Sequence, residues 1–354
     1  MVRRICFMKK ITSLLRLIKF GFVGWRPASP PTLIFTTTTR CNMACRHCGD
    51  DVWGNPDDDM SFEEIEKFCN DLGNLEAVSL GGGEPFLRKD LADICALFYE
   101  KNGTRLISIP SNGFATDTIC ATVHNILKKC PEATLNMMLS LDGFQRTHDN
   151  MRMPGSFTRV IETAHRLTEL KKENPRLTLC FNSTITGDNW QELPELAKFV
   201  RDTFQCNLEF NILTGNPRDT DCKIPSLSDL EQTIDAIYAV HDVTPLTLNH
   251  HQIYRDVVLN TNLEKRQIVP CRAGSLVCMV DANGDVRACS LLPPLGNLRV
   301  NSFQSIWHSE TAKQQYRSIC KGACSCNNDC FIRISLMHYW KLPFYMLQKL
   351  IKSL

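Results

Sequence analysis

Between Thr32 and about Leu213 the chain alternates six times between a short apolar, β-branched run and an amphipathic stretch of helical period. The runs are 32–38, 76–80, 105–110, 135–141, 177–185 and 207–213, and each is expected to be a strand. The intervening stretches, starting near residues 61, 90, 116, 157 and 190, are expected to be helices. The first carries its own start signal, since Ser61 with Glu64 three residues on makes a capping box. Strands separated by a dozen or more helical residues must pair in parallel, because a tight turn cannot return the chain in the same direction. Two arrangements satisfy the pattern, an open doubly wound sheet and an incomplete barrel. Periodicity does not separate them.

The chain has 354 residues, enough for one large domain and a smaller module. Its net charge of +2 hides an uneven distribution. Residues 1–40 carry eight Lys or Arg and residues 331–354 carry four, with no acid in either, which leaves −10 on residues 41–330. An acidic body does not suit a nucleic-acid enzyme, whose working face would be basic. The chain also holds 18 cysteines. Several lie one to three residues apart, too close for ordinary disulfides and suited to wrapping a metal centre, so a reducing cytosol is expected. Arg16 and Lys19 interrupt the only early apolar stretch, which argues against a secretory leader. No uncharged run reaches the roughly 18 residues that a membrane helix needs.

The sequence Cys41-Asn-Met-Ala-Cys45-Arg-His-Cys48 sets three thiols on one loop directly after the first strand. Three thiolates on a [4Fe–4S] cube leave one iron without a protein ligand and open to a small molecule. With Gly82-Gly83-Glu84-Pro85 after the second strand, Ser111-Asn112-Gly113 after the third and Ser140-Leu141-Asp142-Gly143 after the fourth, the chain resembles the radical S-adenosylmethionine (SAM) superfamily over residues 30–330. His148-Asp149 and Arg152 to Phe157 continue the likeness. The resemblance implies an α/β fold, a partial (β/α)6 TIM-like barrel with its site at the carboxyl ends of the strands. It implies that SAM chelates the open iron of a cluster on Cys41, Cys45 and Cys48. One electron would then cleave SAM to a 5′-deoxyadenosyl radical that abstracts hydrogen from a substrate. Gly82 and Gly83 would let backbone carbonyls approach the SAM ammonium, and Glu84 would accept from it or hold the loop. Ser140 and Arg152 would meet the SAM carboxylate, Asn112 would turn the chain or touch the ribose, and His47 would pack beside the adenine. A reducing donor such as flavodoxin or ferredoxin would supply the electron.

From Cys271 the composition shifts to Gly, Asn and Cys. Asn283-Gly284 inside Val280–Val286 is a strong hairpin signal. Cys271 and Cys289 flank this hairpin, and the chain runs on to Cys320-x3-Cys324-x-Cys326-x3-Cys330. The segment resembles the SPASM/Twitch extension of the same superfamily, a Cys-rich auxiliary-cluster module. Carried over by position, Cys271, Cys278, Cys289 and Cys330 would bind one auxiliary [4Fe–4S] cluster, with Cys320, Cys324 and Cys326 near the start of a second. The last stretch is three residues shorter than the usual spacing and no cysteine follows Cys330, so one auxiliary cluster is expected. A zinc knot is the alternative. Cys6, Cys69, Cys95, Cys120, Cys130, Cys180, Cys206 and Cys222 stand alone and read as small buried apolar residues.

The resulting division is a basic amphipathic segment at 1–29, the barrel at 30–215, a helical bridge at 216–270, the cysteine module at 271–330 and a basic tail at 331–354. Both ends place apolar residues on one helical face with Lys or Arg beside them. This suits peripheral contact with an anionic membrane, or packing over the open side of the barrel. Substrates of several classes fit such an enzyme: a peptide or protein, a cofactor or sugar precursor, or a lipid. A non-catalytic iron–sulfur or zinc protein on a degenerate barrel is the competing reading, and the intact cysteine triad with Gly82-Gly83-Glu84 speaks against it.

Overall fold

A computed structural model describes residues 26–49, 55–241, 245–339 and 341–342, with backbone alone for 245–250. The amphipathic readings of residues 1–25 and 343–354 lie outside the described residues.

All six expected strands form: β1 (Thr32–Thr38), β2 (Ala77–Gly82), β3 (Leu106–Ser111), β4 (Thr134–Ser140), β5 (Leu177–Ile185) and β6 (Leu208–Ile212). Each is parallel to its neighbour, and the helices between them are α1 (Phe62–Leu72), α2 (Leu91–Lys101), α3 (Thr116–Lys129), α4 (Gln145–Met151), α5 (Ser156–Glu173) and α6 (Leu193–Phe204). The capping box at Ser61 is present, with Ser61 Oγ accepting from Glu64 N and the Glu64 carboxylate accepting from Ser61 N. Strand alternation separates two environments. Leu135, Met137 and Leu139 of β4, with Phe181 of β5, are wholly buried in the core that the helices pack against. The opposite face carries Ser108, Asn136, Ser140, Asn182, Glu209 and Asn211, all half-buried.

The sheet is curved, and the loop contacts make this evident. Strands β1 and β6 never pair, yet residues following β5 and β6 reach the loop that follows β1. Arg46 bonds Asp219 at 2.6 Å and Asp188 at 3.0 Å, while Arg218 N donates to Cys48 O at 2.8 Å. An open flat sheet would hold these segments some five strand spacings apart, about 24 Å. The arrangement is therefore the incomplete barrel.

Two features lie beyond the periodic pattern. Short α4 follows Asp142-Gly143 and carries His148 inward. The cysteine-module hairpin also joins the barrel sheet. After α7 (Leu227–Val240) and α8 (Pro245–Glu264), β7 (Val277–Val280) pairs in parallel with the outer edge of β1, Leu33 opposite Cys278. Antiparallel β8 (Asp285–Arg287) and β9 (Gly296–Asn297) extend it, giving the order β6-β5-β4-β3-β2-β1-β7-β8-β9. Helices α9 (Phe303–Trp307), α10 (Glu310–Cys320) and α11 (Asp329–Met337) complete the described chain apart from its last residues. No described helix is long and apolar enough to cross a membrane.

Phe35 of β1 packs against Phe98 with ring centroids 5.8 Å apart and against Phe68 at 6.2 Å, fully buried under α1 and α2. Phe35→Ala is expected to lower stability by about 3–5 kcal/mol, read by urea unfolding, because the rigid strand cannot close the cavity.

Candidate active site and metal centres

The cysteine loop leaves β1 across the end of β2, and this crossing accounts for both glycines. A Cβ on Gly82 would stand 2.3 Å from Thr38 O, and one on Gly83 would stand 2.1 Å from Arg40 O. In that space Gly83 N donates to Thr38 O at 2.9 Å and Glu84 N to Arg40 O at 2.8 Å. The glycines thus make room for the start of the cysteine loop itself. Glu84 is buried and holds the loop ends together. Its carboxylate accepts from Phe86 N, Ser111 Oγ and Asn112 N at 2.8–3.2 Å. Burial pushes its carboxyl up to about 7 in spite of those donors. Asn112 continues the lacing, since its Nδ2 donates to Asn42 Oδ1 on the cysteine loop at 2.7 Å.

Cys41, Cys45 and Cys48 follow, close enough that Cys41 feels Cys45 and Cys48 feels both. Burial first, then Cys45 and Cys41, pushes the Cys48 thiol up to about 11. Three thiols on one loop, Cys45 buried and Cys41 and Cys48 half-buried, suit a cationic centre, which would displace their protons on binding. Among the described residues no three His, Cys, Asp or Glu side chains converge on a single ion.

Beneath the thiols lies a network that the sequence did not announce. Asp142, directly after β4, is fully buried and binds Arg152 Nε at 2.6 Å and Thr184 N at 2.8 Å, with His47 Nε2 3.8 Å away. Burial alone would raise its carboxyl, but the Arg152 guanidinium and the two histidines hold it at about 2. Arg152 is almost wholly buried, and its Nη1 lies 3.8 Å from Cys45 Sγ, a fixed positive charge beside a thiol. His47 and His148 are both lowered to about 4, chiefly by burial, and so stand neutral. His47 Nδ1 is buried without a hydrogen-bond partner. Ser140 ends β4 on the half-buried inner face.

The second group differs from the expected set. Cys271, Cys289, Cys324 and Cys326 lie close enough to act on one another electrostatically, and Cys330 acts with Cys289. Gln267 braces the group, accepting from Cys271 N at 3.1 Å and donating to Cys324 Sγ at 3.3 Å. Cys278 does not join. It is fully buried in the packed interior of β7, and the one charged group that it feels is Arg26. The reason is register, since pairing opposite Leu33 of β1 fixes which way Cys278 points. Cys320 lines a different cavity, beside Arg26 and Tyr316. Cys330, in the first turn of α11, sits among Asp329, Arg333 and Cys289.

A radical SAM superfamily model matches residues 35–200, and a SPASM model, an iron–sulfur cluster-binding domain, matches residues 271–331. The chain belongs to the radical SAM superfamily. Mycofactocin maturase MftC of Mycolicibacterium smegmatis is 24% identical over 309 residues, covering 84% of this chain and 75% of that protein. Fe-coproporphyrin III synthase of Methanosarcina barkeri is 31% identical over 179 residues, which is 49% of this chain and 41% of that protein. Streptococcus suis SuiB bound to S-adenosylmethionine shares the fold, with a TM-score of 0.61 at 16% identity over 94% of this chain and 80% of that one. This radical SAM enzyme therefore works with a SAM-binding [4Fe–4S] cluster and auxiliary iron–sulfur chemistry in its SPASM domain.

Neutral His148 accepts from Asp142 N at 3.1 Å. Its folded pKa of about 4 lies below the ordinary 6.5, so the unfolded chain takes up the proton first. Stability is then lost as pH falls from about 6.5 towards 4, by up to about 1.4 kcal/mol per pH unit. His148→Asn, which keeps an acceptor but does not titrate, is expected to flatten that part of the curve in urea unfolding between pH 4 and 7.

Proposed function

We propose that Cys41, Cys45 and Cys48 hold the SAM-binding cluster, and that the enzyme takes hydrogen from a polar substrate admitted to the inner face of the barrel. The observation that carries the reading is the thiol loop seated at the carboxyl ends of the strands, beside buried Arg152. The chemistry that a cluster on these thiols would supply is one electron to SAM, releasing methionine and a 5′-deoxyadenosyl radical for hydrogen abstraction. The chain's own groups position the reactants. Gly82, Gly83, Glu84 and Asn112 fix the loop from which the thiols project. Arg152 offsets thiolate charge and, with Ser140, faces the carboxylate of SAM. His47, buried and neutral beside Asp142, packs against the adenine.

The substrate reading rests on the half-buried face of Ser108, Asn136, Asn182 and Asn211. A lipid or other apolar substrate would strip water from these amides and hydroxyls without replacing its hydrogen bonds, at about 1–3 kcal/mol each. A peptide or sugar-like substrate satisfies them. In the SPASM module, Cys271, Cys289, Cys324 and Cys326 are the ligands of one auxiliary cluster. Flavodoxin or ferredoxin supplies electrons in a reducing cytoplasm, where the basic ends 1–29 and 331–354 allow contact with an anionic membrane surface.

Reconstituted anaerobically with iron, sulfide, SAM and dithionite, the enzyme is expected to produce 5′-deoxyadenosine, and Cys45→Ala to reduce this to background. Activity retained in a Cys41/Cys45/Cys48 triple Ala variant would sink the assignment. That triple variant should still hold about four irons and four sulfides, the content of one cube. Adding Cys271→Ala and Cys326→Ala should remove them, whereas Cys278→Ala should not.

A further inference from the structure

The SPASM module carries a basic cavity on a chain whose body is acidic. It measures about 500 Å³ and is lined by Arg26, His308, Lys313, Arg317, Cys320 and Lys321, with Pro27 and Tyr316 in its wall. Lys313, Arg317 and Lys321 recur every four residues along α10 and just beyond it, which makes one cationic stripe. The single acid in α10, Glu310, is paired with Lys313. At the back, the Arg26 guanidinium lies 3.9 Å over Trp307 and its Nε donates to Gly274 O at 2.7 Å. Its Nη2 is buried with no hydrogen-bond partner, and no carboxylate is among the groups acting on Arg26. All 38 acidic residues and 28 of the 40 basic ones fall in residues 41–330, so this stripe is a local reversal of the body's sign. The cavity also includes one cysteine of the module. Cys320 lines it, four residues before Cys324, and Arg272, which feels Cys320, is the neighbour of Cys271.

We infer that this cavity is the docking face for the acidic one-electron carrier that reduces the enzyme, with carboxylates of the carrier seated on Arg26, Lys313, Arg317 and Lys321. The inference rests on the proposed use of such a carrier. Charge decides the occupant. An acidic partner is repelled by the body and drawn to the stripe, which steers its approach and fixes its orientation. The 25 residues before Arg26 carry six Lys or Arg and no acid, so their charge does not match this cavity. Docking here sets the carrier on the cysteine module, against Cys320. One electron leaves the reduced carrier and the enzyme gains it.

The test uses the full-length, cluster-loaded enzyme and flavodoxin, titrated by calorimetry at low salt. The Lys313→Glu/Arg317→Glu/Lys321→Glu triple variant is expected to bind at least about tenfold more weakly, and raising ionic strength should weaken wild-type binding in the same direction. Lys198→Glu on α6, outside the cavity, is the control and should bind as wild type. With dithionite as reductant, 5′-deoxyadenosine formation by the triple variant should equal wild type, while its flavodoxin-driven rate falls. Equal flavodoxin affinity in triple variant and wild type would overturn the docking face, even if dithionite-driven cleavage succeeds. Inorganic phosphate displacing flavodoxin at micromolar concentration would also overturn it, marking a small-anion site. If the triple variant does not fold, Arg317→Glu alone serves, with a several-fold loss expected and no loss overturning the inference. Failure of dithionite-driven cleavage in wild type would count against the proposed function, and the binding titration would still decide the docking face.

Discussion

A single carboxylate, Asp142, organises the end of the barrel where the chemistry is placed. It has no exposed surface, so its charge survives only because partners surround it. Arg152 pairs with it, Thr184 N donates to it and His47 lies beside it. Its backbone is held as well, N–H to His148 and carbonyl to Asn189 Nδ2. These partners come from the cysteine loop, α4, the end of β5 and the segment after it. One buried charge thereby ties four separate stretches of chain to the end of β4. Leaving either member of such a pair buried alone costs about 3–5 kcal/mol. The same Arg152 reaches Cys45, so anchoring the barrel end and setting the electrostatics of the thiol loop are one arrangement.

The two cysteine groups are built on different principles. The first is a short loop, and its shape is imposed from outside by β2 through Gly82, Gly83 and Glu84. The second gathers thiols from well-separated stretches, the start of the module, the end of its hairpin and the loop before α11. Local spacing sets the first group and tertiary packing sets the second. The loop-borne triad takes its shape from the chain crossing at Gly82, Gly83 and Glu84. A dispersed tetrad depends on the whole module being folded.

This difference explains what could be read from the residues alone. The six strands emerged from periodicity because each must keep one apolar face towards its helices. The Ser61 cap and the positions of Gly82, Gly83 and Glu84 were equally visible. The reason for the glycines was not, because it lies in the path of Thr38–Arg40, forty residues away. Barrel closure shows in Arg46 meeting Asp188 and Asp219, charged residues that local pattern treats as solvated. Cys278 lies apart from the other thiols because a strand residue's facing depends on register, and its register is set by pairing with β1, a distant partner. Gln267 carried no signal at all, since a polar residue beside a cysteine is ordinary until packing brings Cys324 to it.

The pairing of β7 with β1 has a consequence for how the molecule is made. During synthesis β1 emerges early and gains β2 on one side soon afterwards. Its other edge waits for residues near Val277, after every barrel element has left the ribosome. Through that interval the nascent chain presents an unpaired, apolar strand edge, a template for pairing with other chains. The longest-range contact in the sheet is also the one that covers this edge, so completion of the fold is slow for topological reasons. A chain truncated before the hairpin would therefore lose more than a metal-binding appendage. It would keep a barrel whose first strand remains open, and aggregation rather than simple loss of a cluster is the expected fate of such a fragment.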